Sequence, residues 1–222
     1  PTVLTMPDLI EDAFAALGED YRHWLDLIPL DPAYRAFYPD GSTMDVFAGP
    51  ERMAAEIEDQ IGADEAAGYR RFVDYVGRMY QLEIREFIDR NLDGPFDLLT
   101  PNLARLVALG GFGRLQRKVD TFLKDPRTRR LFSFQAMYAG LSPYKALALY
   151  SVISYMDSVA GVYLPQGGMH ALPQAMAEAA VKHGVTIHYG VTVESVETVG
   201  DTATAVVTTD GERFPADAVV LN

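Results

Sequence analysis

Cysteine is absent from the 222 residues, which excludes disulfides, thiolate metal sites and cysteine nucleophiles. Histidine occurs 4 times, as His23, His170, His183 and His188, with no pair at helix-face spacing beside a carboxylate, so no metal site is expected. Long apolar runs are missing too: none approaches the roughly 20 residues that span a bilayer. The opening PTVLTMPDLI has no basic stretch leading into an apolar one, so neither a signal peptide nor a transmembrane helix is predicted. There is no G-x-S-x-G elbow. Gly110-Gly111-Phe112-Gly113 fails the G-x-G-x-x-G pattern, follows no strand and has basic helix on both sides, so it is not a nucleotide fingerprint. Backbone amides grouped for a pyrophosphate at a helix N-terminus are therefore not supplied by this stretch.

What is present suits a globular chain of one or two domains, with 49% hydrophobic residues and a net charge of −12. The charge is uneven. Residues 1–100 carry 8 basic against 21 acidic side chains (−13), residues 101–145 carry 9 against 2 (+7), and the remainder 2 against 8 (−6). An acidic bulk argues against nucleic-acid binding. The basic block beside apolar residues fits either an anionic membrane surface or a solvated helix face. The paired carboxylates Glu11-Asp12, Glu19-Asp20 and Asp64-Glu65 sit at helix ends, where dipole compensation explains them without acid–base chemistry.

Apolar spacing predicts a helix over Asp8–Leu17 stopped by Gly18, and a long helical region opened by Gly49-Pro50 that Gly62 interrupts before Glu65–Asp89. Between them Trp24–Leu30, Tyr34–Tyr38 and Thr43–Phe47 read as a small antiparallel sheet. Phe96–Leu123 reads as about two helices joined at Gly110, Gly111 and Gly113. Its residues Phe96, Leu98, Leu99, Leu103, Leu106, Val107, Leu109 and Phe112 form a candidate exposed apolar face, flanked by Arg105, Arg114, Arg117 and Lys118. Asp125-Pro126 and Ser142-Pro143 each start a further helix, the latter running through Tyr155. From Gly161 the texture changes to strand (162–164), the turn Pro165–Gly168, a helix over Met169–His183, and strands at 185–189, 191–199, 203–208 and 218–221. The last of these ends as though inside a sheet. The aromatic and methionine-rich run from Leu131 to Tyr155 is read either as the wall of a long apolar channel or as ordinary core.

The block RRLFSFQAMYAGLSPYKALALYSVISYMDSVAGVYLPQGGMHALPQAMAEAA (129–180) resembles bacterial-type phytoene desaturases, a branch of the flavin amine-oxidase superfamily. PTVLTMPDLI, YRAFYPDGSTMDVF, FDLLTPNLARL and GERFPADAVVLN extend the resemblance over essentially the whole chain. It implies an α+β architecture, with a mainly helical substrate-side domain and small sheet over residues 1–160. Strands of an incomplete FAD-binding, Rossmann-like domain follow over 161–222. It also implies that the chain is an interior piece of a longer flavoenzyme, with the FAD fingerprint upstream, and is inactive alone.

The implied reaction removes hydrogen from a polyisoprenoid such as phytoene, hydride passing to the flavin. Gly167 and Gly168 are the implied neighbours of the isoalloxazine and Val193 of the adenine end. Phe134, Tyr138, Tyr155 and Tyr163 are candidate substrate-lining residues, and Asp97 or Arg105 candidates for proton or charge handling. Peripheral attachment of a cytoplasmic enzyme to the membrane through 96–123 is expected, as is self-association through exposed strand edges. Two alternatives remain open: a sister carotenoid oxidoreductase (ketolase or isomerase), or a non-catalytic helical module that binds lipid or a protein partner.

Overall fold

The structure is a computed structural model that describes residues 3–89 and 91–221. Its chain divides into two compact units, residues 1–175 and 176–222. The sequence texture changes at Gly161, whereas this division falls inside the last helix, because the strand at Tyr163–Pro165 pairs within the first unit.

The first unit is helical around one long element. Helix α1 (Pro7–Ala15) starts at Pro7; α2 (Pro50–Gln60) and α3 (Ala63–Glu83) are separated by Gly62. On α3, Ala66, Tyr69, Phe72, Val76 and Met79 recur at helical spacing and are all buried, so one stripe faces the core. Met53 and Ile57 of α2 and Met44 and Val46 of a neighbouring strand pack against it. So do Leu115, Val119 and Leu123 in and just after α5 (Leu115–Phe122). Fully burying such a side chain stabilises by about 1.5–3 kcal/mol. Close approach has one strict requirement: a Cβ on Gly68 would stand 2.4 Å from the Phe122 carbonyl oxygen, so only glycine lets these helices meet there.

Helix ends follow local chemistry. The Thr100 side chain accepts from Leu103 N–H at the start of α4 (Pro101–Ala108), and Asp125 accepts from Arg127 N–H at the start of α6 (Pro126–Leu131). The buried Glu65 carboxylate accepts from the Lys124 and Asp125 N–H groups and from the Thr128 hydroxyl, tying α3 to the loop before α6. After α3 the chain tightens into a π-helical turn (Ile84–Ile88) and then a 3₁₀ turn (Pro95–Leu98).

The small sheet differs from the expected three-stranded one. Strands β2 (Tyr34–Phe37) and β3 (Thr43–Val46) form a hairpin, but β1 (Leu27–Pro29) pairs with β4 (Tyr163–Pro165) far along the chain. Leu4 bridges the other edge of β4, exchanging hydrogen bonds of 2.9 and 2.8 Å with Tyr163. The helix expected from Pro143 begins only after a 3₁₀ turn (Ala148–Ser151), as α7 (Val152–Ser158). The intervening backbone is diverted: Pro143 and Ala146 carbonyls accept from Gln116 and Leu115, while Ala148 and Leu149 donate to Gly113 and Gly111. The glycine cluster is thus a seam with residues 146–149.

Helix α8 (Ala171–Lys182) runs across the division between the units. The second unit carries an antiparallel sheet ordered β5 (Val193–Val199), β6 (Thr202–Thr208), β7 (Arg213–Pro215). Its β6–β7 connection is the expected Asp210-Gly211 turn. No strand forms over 185–189 or 218–221, because among the described residues those segments have no partner strand; Val185 instead donates to Ala180 and closes α8. Mixed helix and small antiparallel sheets are nevertheless the architecture, as the α+β expectation held.

Candidate functional site

Five segments of the first unit surround a cavity of about 630 Å³, lined by Val3, Thr5, Ala33, Tyr34, Phe134, Tyr138, Ile153, Asp157 and Val162. Phe134 and Tyr138 lie on a 3₁₀ turn (Phe134–Ala139). Tyr34 opens β2, and Val162 leads into β4. Their rings interlock edge to face, Tyr34 with Phe134 at 6.0 Å and 80°, and Phe134 with Tyr138 at 5.7 Å and 88°. Tyr138 is 65% exposed, so the cavity opens to solvent beside it.

Helix α7 decides which predicted residues meet. Ile153 and Asp157, four apart, share one face and line this cavity; Tyr155 and Val159 share the opposite face and line a separate groove with Arg105. Tyr155 stacks there on Tyr80, 4.6 Å between ring centres. Of the four expected lining residues, Phe134 and Tyr138 are therefore together and Tyr155 is not with them. Tyr163 lies in the β1–β4 ladder just beyond Val162. Asp97 is bound locally, its carboxylate accepting from Asp93 and Gly94 N–H at 2.9 and 2.8 Å. Exposed Arg105 donates to Asn102 at 2.8 Å.

The one carboxyl among the described cavity-lining residues is Asp157, 4% exposed. Its Oδ2 accepts from the Tyr34 hydroxyl and from Gln135 Nε2, each at 3.4 Å, while Oδ1 has no hydrogen-bond partner. Burial pushes its carboxyl up to about 7, against the opposing pull of nearby donors, Gln135 first. Burial and the adjacent Asp157 push the Tyr34 hydroxyl far above its ordinary value, so it stays protonated. Sequence reasoning missed Asp157 and Tyr34 as site residues. One signal was available: Asp157 is the sole carboxylate between Asp125 and Glu178.

Strand β4 links Val162, on the cavity wall, to the turn at Pro165–Gly168, closed by Gly168 N–H to Pro165 O at 2.8 Å. Gly167 and Gly168 have φ of +85° and +94°, and a Cβ on either would meet nothing within 4 Å. The turn thus offers bare backbone to open space. In the second unit, Val193 begins β5, one of the two edge strands of the sheet, and is 54% exposed.

Comparison with known proteins places these features in context. The chain is 57% identical over 221 residues to a phytoene dehydrogenase of Streptomyces griseus, covering 100% of this chain and 43% of that protein. It is 34% identical over 226 residues to a zeta-carotene-forming phytoene desaturase of Myxococcus xanthus, again covering 100% and 43%. The chain therefore spans under half the length of these curated relatives. In fold it resembles the crystal structure of Rab GDI from Plasmodium falciparum, with a TM-score of 0.52 and 12% identity over 98% of this chain and 48% of that one. Residues 16–222 match the flavin containing amine oxidoreductases, and the chain belongs to that family.

Proposed function

We propose that the full-length protein is an FAD-dependent desaturase of phytoene or a closely related polyisoprenoid. The observation that carries this reading is an aromatic, largely apolar cavity whose wall residue Val162 is joined through the short β4 to a bare glycine turn. Identity with the Streptomyces phytoene dehydrogenase along the whole chain supports it. When bound, the flavin supplies a two-electron acceptor for hydride. Gly167 and Gly168 would present their backbone to its ring; Val193, in the second unit, is a separate candidate for its adenine end. Phe134, Tyr138 and Tyr34 grip an extended hydrocarbon by dispersion and exclude water from the carbons that lose hydrogen. Incubating the FAD-loaded full-length enzyme with phytoene in liposomes tests this directly: new conjugated absorption is expected, and its absence overturns the reading.

Because such a substrate resides in bilayers, peripheral docking of a cytoplasmic enzyme is part of the proposal. Among the described residues no helix is long and apolar enough to cross a membrane. Phe96 (82% exposed), Leu99 (72%), Val107 and Phe112 are exposed apolar residues in the same stretch of chain as the exposed Arg105 and Arg117. The rest of the expected apolar face is smaller than its sequence implied, since Leu106 is core, Leu103 and Leu109 are half-buried, and the Leu98 side chain lies outside the described residues. Lys118 turns inward, donating to the Leu109 carbonyl and lying 5.0 Å from the Tyr75 ring centre. Arg105→Glu with Arg117→Glu is expected to weaken sedimentation with anionic liposomes; unchanged sedimentation removes the docking surface. The open edge of β5 is the proposed route of self-association in the isolated chain.

A further inference from the structure

A desaturation removes two hydrogens, and the cofactor accounts for only one of them as hydride. The second leaves as a proton and needs an acceptor within the cavity. Among the described lining residues, those that titrate are Tyr34, Tyr138 and Asp157. Tyr34 stays protonated, and burial followed by Asp157 raises Tyr138 as well. Asp157 differs in geometry: it is a buried carboxyl among the cavity-lining residues, its Oδ2 held by Tyr34 and Gln135 and its Oδ1 buried without a hydrogen-bond partner. One oxygen is thus fixed by protein donors and the other is left without one. A buried acceptor that no protein group satisfies is costly unless it carries a proton or meets a ligand.

We infer that Asp157 is the proton acceptor of the proposed desaturation, its carboxylate taking the proton from the carbon beside the one that loses hydride. The inference rests on the desaturase reading above. One C–H bond breaks with both electrons leaving as hydride for the flavin. The neighbouring C–H bond then breaks, its electron pair becomes the second bond of the new double bond, and its proton forms an O–H bond on the Asp157 carboxylate. Loss of hydride leaves a carbocation whose adjacent C–H is strongly acidic, so a carboxylate is base enough. Between turnovers the proton returns to water through the mouth beside Tyr138. The titratable groups facing Asp157 are Tyr34 from β2, Tyr138 from the 3₁₀ turn and Tyr69 from α3, so no ordinary neutral-pH titration competes with its own.

The test uses full-length, FAD-loaded enzyme with phytoene in liposomes, following flavin bleaching anaerobically between about pH 5 and about pH 9. Wild-type bleaching is expected to rise with pH around 7, as Asp157 ionises. Asp157→Asn is expected to slow bleaching about 100-fold or more, to abolish the pH limb, and to leave phytoene affinity and FAD content unchanged. Asp157→Glu is expected to recover part of the rate together with a pH limb. Independently of turnover, infrared titration of the substrate-free wild type should show a protonated carboxyl band fading near pH 7 that Asp157→Asn lacks. An Asp157→Asn enzyme with wild-type rate and pH limb overturns the inference, as does a wild type whose infrared titration shows no such carboxyl, the deciding result if Asp157→Asn loses its flavin. A wild type that never bleaches with phytoene instead overturns the desaturase reading itself.

Discussion

The Tyr34 hydroxyl donates to Asp157 Oδ2 at 3.4 Å across 123 positions of sequence, joining the first residue of β2 to the last turn of α7. That contact sets a phenol that does not ionise against a carboxyl whose burial raises it toward neutrality, in a cavity whose other lining residues are apolar apart from Thr5 and Tyr138. Its consequences reach stability as well as chemistry.

Burial raises the folded-state value of Asp157 from 3.8 to about 7. The folded protein therefore binds the proton more tightly than the unfolded chain. The associated stability is fully present below pH 3.8 and is lost as pH rises through about 7. The full difference is about 4 kcal/mol. Asp157→Asn carries no such dependence. In thermal unfolding of the full-length protein, the variant is expected to gain on wild type as pH rises from about 5 to about 8; a pH-independent difference contradicts the buried carboxyl.

Gly68→Ala places a methyl group 2.4 Å from the Phe122 carbonyl oxygen, which belongs to the backbone of α5 and cannot swing away. A loss of about 1–3 kcal/mol is expected. Urea unfolding measures it, and a neutral result means that α3 and α5 separate there.

Glu65→Ala strips the acceptor from two backbone N–H groups and the Thr128 hydroxyl. Orphaned buried donors cost about 1–3 kcal/mol each, so a strongly lowered unfolding midpoint is expected. Protease cleavage in the loop at 123–126 should rise with it.

At Gly167 and Gly168 a side chain meets open space within the protein, although the positive φ adds a strain of about 1–2 kcal/mol. Gly168→Val is therefore expected to keep its circular dichroism while FAD affinity falls about tenfold or more, a change of 1.4 kcal/mol or greater. Flavin content after gel filtration reports it, and retained flavin places the ring elsewhere.

Phe134→Ala removes the ring that touches both Tyr34 and Tyr138 edge to face. Weakening of phytoene binding by about tenfold is expected, in line with the 0.5–1.5 kcal/mol of such aromatic pairs added to the lost apolar area. Quenching of flavin fluorescence by phytoene measures it; unchanged affinity removes the cavity from the substrate path.

Local signals were enough for α1, α2 and α3, because apolar residues at helical spacing and the breakers Gly49-Pro50 and Gly62 act within a few residues. The turns at Pro165–Gly168 and Asp210-Gly211 were legible for the same reason. Pairing of β1 with β4 was not, since strand choice depends on which backbone edge is nearby after collapse. The delayed start of α7 has the same origin: hydrogen bonds from residues 111–116 outcompete a Ser-Pro helix start. Resemblance pointed to Phe134 and Tyr138, but nothing local separates Tyr155, which the twist of α7 turns into a different groove. The sequence alone determined the helix-rich α+β class and the glycine turn, because both follow from short-range backbone preference and hydrophobic period. Tertiary structure alone decided that Asp157 is buried with one oxygen unpaired, because desolvation and hydrogen bonding are set by the segments that close over a side chain.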